Sequence, residues 1–147
     1  MMVTWIIREV IAEHPLVSAH PGMSVREACR LMVEKHIGAL LVLEGTRIAG
    51  IFTERNALTR ILAPGRDPDS TTVGEVMVPD PVCILEDKPL TQALLLMADG
   101  GFRHVPVLDA QGRAVGMVSA RDALGHELVE LGCGMTSFSR LESALAY

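Results

Sequence analysis

The chain has 147 residues, 49% of them hydrophobic and only 3% aromatic, with a formal net charge of −5. That is an ordinary single-domain length, with enough Val, Ile, Leu, Ala and Met for a sizeable core. The acidic balance and the lack of any Lys/Arg-rich run argue against a nucleic-acid partner, whose phosphates need a basic footprint.

In chain order, the lead "MMVTWIIREV" is apolar but interrupted by Arg8 and Glu9, and no small-residue cleavage site follows, so it does not read as a secretory signal. Trp5 is expected to pack this lead onto the first structural unit. Ser24 with Glu27 forms an S-x-x-E capping box, and Val25, Ala28, Cys29 and Met32 follow at i, i+3, i+4, i+7, predicting an amphipathic helix ended by Gly38. Two short apolar strands come next, "ALLVL" and "RIAGIF", joined by the polar turn Glu44-Gly45-Thr46. A second helix is predicted over 54–62. The stretch Ala63 to Thr72, "APGRDPDSTT", is rich in Pro, Asp, Ser and Thr and reads as a linker.

The same order then recurs. "VGEVMVPDP" from Val73 matches "IREVIAEHP" from Ile7 at an offset of 66. Pro89 suits the first turn of a helix carrying Leu90, Ala93, Leu94 and Met97, which Gly100-Gly101 stop. Strands "HVPVL" and "RAVGMV" follow, then a helix over 120–131. "GIFTERN", Gly50 to Asn56, and "GMVSARD", Gly116 to Asp122, are near-copies. The chain is thus two copies of a strand–helix–strand–strand–helix unit of about 60 residues, each too small to bury a comfortable core alone. The expected divisions are 1–66 for the first repeat with its lead, 67–131 for the second, and 132–147 for a C-terminal tail. That tail, "TSFSRLESALAY" after a Gly132-Cys133-Gly134 break, puts Phe138, Leu141 and Leu145 on one helical face and reads as a self-association element.

Cys29, Cys83 and Cys133 are odd in number and far apart, with no C-x-x-C pair, so neither a disulfide framework nor a zinc site is expected. Buried, reduced thiols in a cytoplasmic protein fit better. His14, His20, His36 and His126 show no metal-ligand spacing, and no metal is expected. Met77, Met97 and Met117 read as core filler. The longest apolar run, Ile37 to Leu43, is too short to span a bilayer, so no membrane partner is expected.

"GMVSARD" supports two readings. Ser119 and Asp122 can form an S-x-x-D helix cap. They can also hold a ligand: free N–H groups at a helix N-terminus favour phosphate, the Ser119 hydroxyl adds a donor, and the Asp122 carboxylate can accept from both hydroxyls of a ribose. Arg121 and Arg103 can neutralise phosphate charge, and His104 can add a hydrogen bond. In the first copy Thr53 and Arg55 keep part of this chemistry. Asn56 replaces the carboxylate by an amide with one acceptor oxygen, so that site is expected to be weaker or empty, with capping the favoured role of Thr53 and Asn56.

"MVPDPV" (Met77 to Val82), "RHVPVLD" (Arg103 to Asp109) and "GMVSARD", in register and preceded by a diverged first copy, resemble the cystathionine-β-synthase (CBS) domain pair, or Bateman module, of the stand-alone two-repeat type. The resemblance runs from about Ile7 to Leu131. It implies an α+β fold in which tandem β-α-β-β-α repeats pack as a pseudo-twofold pair that dimerises. It also implies that clefts between the repeats bind AMP, ADP, ATP, NAD or S-adenosylmethionine as regulatory ligands, without catalysis or a catalytic cofactor. By that pattern the adenine would lie against Ala19 and His20 and against Ile37, Gly38 and Ala39. The function so implied is a nucleotide-sensing module that signals to a separate effector protein. The alternative is a ligand-free dimerisation scaffold of the same fold, and an enzyme is not expected.

Overall fold

The computed structural model describes residues 5–130, with side chains through residue 125; the expected C-terminal tail and Cys133 lie outside the described residues. The elements run α1 (Ile7–Ile11), β1 (Ser18–Ala19), α2 (Val25–Lys35), β2 (Ala39–Glu44), β3 (Arg47–Thr53), α3 (Glu54–Ala57) continued by a π-helical turn (Leu58–Leu62), α4 (Val73–Val76), β4 (Val78–Pro79), β5 (Ile84–Leu85), α5 (Leu90–Gly100), β6 (His104–Leu108), β7 (Ala114–Ser119) and α6 (Ala120–Glu130). They form a four-stranded sheet in the order β1-β2-β3-β4 and a three-stranded sheet in the order β5-β6-β7. This mixed α+β architecture is the expected one.

The chain divides into two compact units. Among the described residues, one holds Leu16–Val82 with Gly112–Ala114; the other holds 5–15, Cys83–Gln111 and 115–130. Each unit is therefore built mainly from one repeat but takes the opening segment of the other. α1, at the head of the first copy, buries Ile7, Val10 and Ile11 in the core that holds Leu90, Val105 and Val118 of the second. α4, at the head of the second copy, buries Val73 and Val76 among Val25, Leu40 and Phe52 of the first. Trp5 likewise packs against the second-copy core, correcting its expected place on the first; its carbonyl accepts from the Leu90 N–H at 2.7 Å. Neither short helix was read from the sequence, because five- and four-residue helices show too little of a 3.6-residue period.

In the first-copy unit, β1 pairs parallel with β2 (Ser18↔Leu41), and β2 pairs antiparallel with β3 (Ala39↔Thr53). Ser24 caps α2, its hydroxyl accepting the Glu27 N–H at 3.1 Å. The helix ends at Lys35 rather than at Gly38, through His36 in the left-handed region (φ 56°). Val25, Ala28 and Met32 are buried as the periodicity predicts, while Cys29 is only half-buried. β4, the strand that extends this sheet, pairs antiparallel with β3 (Ile51↔Val78).

In the second-copy unit, β5 runs parallel to β6 (Ile84↔Val107). α5 turns its predicted face inward, with Leu90, Ala93 and Met97 buried, and ends at Gly101 (φ 69°) as expected. The motif glycines lie at the lead segments: a Cβ on Gly50 would stand 2.7 Å from the Val78 carbonyl, and one on Gly116 would stand 3.1 Å from the Ile11 side chain.

Candidate functional site

The second-copy unit gathers Arg103, His104, Ser119 and Asp122 at one end of its sheet. The Ala120 N–H, at the head of α6, donates to the Arg103 carbonyl at 2.8 Å, which locks the start of β6 to the end of β7. The Ser119 hydroxyl accepts the Asp122 N–H at 3.0 Å, so capping is real. This bond uses the Asp122 backbone and leaves its carboxylate, about one-third exposed, available for other partners. Arg121 is exposed beside it. His104 is largely buried, and burial, with the Arg103 cation, pushes its pKa down to about 4; the Asp122 carboxylate opposes this more weakly. His104 is therefore a neutral imidazole at physiological pH, able to share a hydrogen bond but not to supply charge.

His14 joins this group although nothing in its sequence context singled it out. Its Nε2 lies 4.0 Å from Asp122 Oδ1. The lead segment delivers it: after α1 the chain turns back, the His14 N–H donating to the Ile11 carbonyl at 3.0 Å. No local signal could have revealed this, because the juxtaposition exists only once α1 docks on the second-copy core.

The first-copy unit repeats the backbone arrangement with different chemistry. Glu54 N–H donates to the Gly38 carbonyl at 3.0 Å, the counterpart of Ala120 and Arg103. Asn56 is buried and occupied by a reciprocal cap. Its Oδ1 accepts from both the Thr53 N–H and the Thr53 hydroxyl at 3.0 Å, while its own N–H donates to Thr53 Oγ1 at 3.2 Å. Arg55 is exposed. The Glu54 carboxylate lies over Gly38, where a Cβ would meet its Oε1 at 3.0 Å. Where the second copy has Arg103 and Ala120, the first has Gly38 and Glu54, so the local charge is reversed. The sequence reading overlooked Glu54, although its alignment with Ala120 carried the signal.

Of the residues expected to face adenine, Ile37, Gly38 and Ala39 lead into β2 beside Thr53. Ala19 pairs with Val42, three residues further along β2 and about 10 Å from Ala39. His20 is exposed and makes a local turn, its Nδ1 accepting the Gly22 N–H at 3.1 Å. The first-copy unit therefore does not bring Ala19 and His20 together with Gly38 and Ala39. Cys29 and Cys83 are free thiols, half-buried rather than fully so, and burial raises the pKa of each. Among the described residues no group of three His, Cys, Asp or Glu stands close enough to hold a metal ion.

The CBS domain model matches the chain twice, over residues 7–63 and 73–128. The chain belongs to the CBS domain family. Each CBS match begins at one of the short lead helices, α1 or α4, and runs through the corresponding repeat. A 17.7 kDa protein from Acidianus ambivalens is 38% identical over 103 residues, which cover 69% of this chain and 61% of that protein. The chain thus spans about three-fifths of that relative's length. Two solved CBS structures share the fold. A CBS-domain containing protein from Agrobacterium tumefaciens superposes with a TM-score of 0.76 at 26% identity, covering 84% of this chain and 99% of that one. A CBS domain protein from Pyrobaculum aerophilum, solved in complex with AMP, superposes with a TM-score of 0.75 at 25% identity, covering 80% and 89%.

Proposed function

We propose that this CBS-domain chain is a regulatory module that senses an adenosine-containing nucleotide and signals to a separate protein. The observation that carries the reading is the opening of α6: a capped helix N-terminus with Ser119 in place, the Asp122 carboxylate still available, and Arg103 at the adjoining strand end. The AMP bound by the Pyrobaculum relative supports an adenine nucleotide as the ligand class. On this reading α6 holds phosphate at its N-terminus, Asp122 accepts from ribose, and Arg103 and Arg121 balance phosphate charge. Ile37, Gly38 and Ala39 remain the proposed adenine-facing residues; Ala19, paired further along β2, and His20 do not share that place with them. The Thr53, Arg55 and Asn56 site is the weaker one.

The proposed assembly is a cytoplasmic homodimer. Val33 (75% exposed) and Leu62 (73%) give the first-copy unit an apolar face that self-association would cover. Among the described residues no helix is long and apolar enough to cross a membrane.

Thermal shift against AMP, ADP, ATP, NAD and S-adenosylmethionine tests the reading. A ligand present at about 100 times its Kd adds about 2.7 kcal/mol of stability. No shift with any of the five would leave the ligand-free scaffold as the better account. Light scattering reads the oligomeric state.

A further inference from the structure

We infer that His14 reads the ribose together with Asp122 and so sets a preference for a hydroxylated sugar. The inference rests on the proposed nucleotide site and deepens it. The 4.0 Å between His14 Nε2 and Asp122 Oδ1 is too long for a direct hydrogen bond. It suits a single small polar group touching both at about 2.8 Å. Both side chains are accessible to such a group, His14 being 55% and Asp122 32% exposed. Both are also held by their backbones, His14 by the turn onto Ile11 and Asp122 by the Ser119 cap.

The chemistry of the pair selects the group. A carboxylate accepts only, and an imidazole with its proton on Nε2 donates there, so with His14 in that tautomer the guest between them must donate to Asp122 and accept from His14. A sugar hydroxyl does both. A deoxy carbon does neither and would leave two polar groups facing an apolar guest, the arrangement that discriminates most strongly between otherwise similar ligands. Asp122 alone would accept from any donor; His14 adds the requirement for an acceptor. His14 comes from the lead segment of the first repeat, so this reader exists only because the two copies exchange those segments.

Calorimetric titration of the whole chain with AMP, 2′-deoxyAMP and 3′-deoxyAMP tests the inference. The unmodified chain should bind AMP more tightly than one of the two deoxy forms. His14→Ala should weaken AMP several-fold, the effect of one net hydrogen bond, and leave that deoxy form unchanged. His14→Gln, which keeps a donor, should restore part of the preference. If AMP binds and Asp122→Ala abolishes binding, but His14→Ala keeps the full preference or weakens all three ligands equally, the inference falls and the nucleotide site stands. If the unmodified chain binds AMP no better than either deoxy form, the inference also falls. Absence of AMP binding overturns both this inference and AMP as the ligand.

Discussion

The Ala120 N–H donates to the Arg103 carbonyl at 2.8 Å, and the Glu54 N–H makes the same bond to Gly38 at 3.0 Å in the other repeat. The backbone frame of the site is thus duplicated while its side chains carry opposite charge. On the proposed reading, Arg103 would balance a phosphate at α6 whereas Glu54 would oppose one at α3, and the Asp122-to-Asn56 difference is a second, separate reason for the two sites to be unequal.

The first prediction concerns the stronger site. Asp122→Ala should abolish the AMP-induced thermal shift while the ligand-free protein still unfolds cooperatively. The Asp122 backbone N–H, not its side chain, makes the bond to Ser119, so the cap survives the substitution. An unchanged shift would remove Asp122 from the ribose role.

The weaker site can be tested by gain of function. Asn56→Asp alone restores a carboxylate but leaves Glu54 over Gly38. Asn56→Asp with Glu54→Ala removes the repulsion as well. Calorimetry should show a second AMP-binding event in the double variant, weaker or missing in the single one. If the stoichiometry is the same in both variants and in the parent chain, neither residue limits that site.

Stability should fall as the solution is acidified, because of His104. Its pKa is about 4 in the folded chain, against 6.5 for the ordinary side chain. Between those values the unfolded chain binds a proton that the folded chain does not, so stability is present above the ordinary value and is lost as pH falls toward about 4. From pH 7 to pH 5 the loss attributable to His104 is about 2 kcal/mol. Urea denaturation of the parent chain and of His104→Asn at both pH values isolates this contribution, and the variant should show the smaller dependence. An NMR titration placing the His104 midpoint near the ordinary value would refute it.

The two motif glycines should differ in tolerance. Gly50→Ala drives a methyl against the Val78 backbone carbonyl at 2.7 Å, which cannot move without disturbing β4. A loss of about 1–3 kcal/mol is expected, the range for overpacking. Gly116→Ala meets only the Ile11 side chain, at 3.1 Å, which can shift slightly, so its cost should be smaller. Equal costs in chemical denaturation would contradict this.

Much of the fold was legible because it is periodic and repeated. The faces of α2 and α5, the hairpin strands and the Gly101 stop follow from spacings of three, four and two residues, and the duplicated order exposed the family. The end of α2 was misread because His36, not a glycine, takes the left-handed position. At the candidate site, Ser119, Asp122, Arg103 and His104 were legible as a motif with its neighbouring strand. Glu54 is legible in the sequence as an acidic residue aligned with Ala120; that its carboxylate lies over Gly38 is decided by the hairpin.

Local chemistry along the chain determined which residues cap helices, which faces are apolar, and that the two motif copies differ in charge. Those properties depend on neighbours within a few positions. Only the tertiary structure decided where the lead segments go. α1 buries Ile7 and Val10 in the second-copy core and α4 buries Val73 and Val76 in the first-copy core, and no local spacing or capping signal in either segment states that choice. Packing resolved it by sending each to the other repeat, and that exchange carried His14 to Asp122.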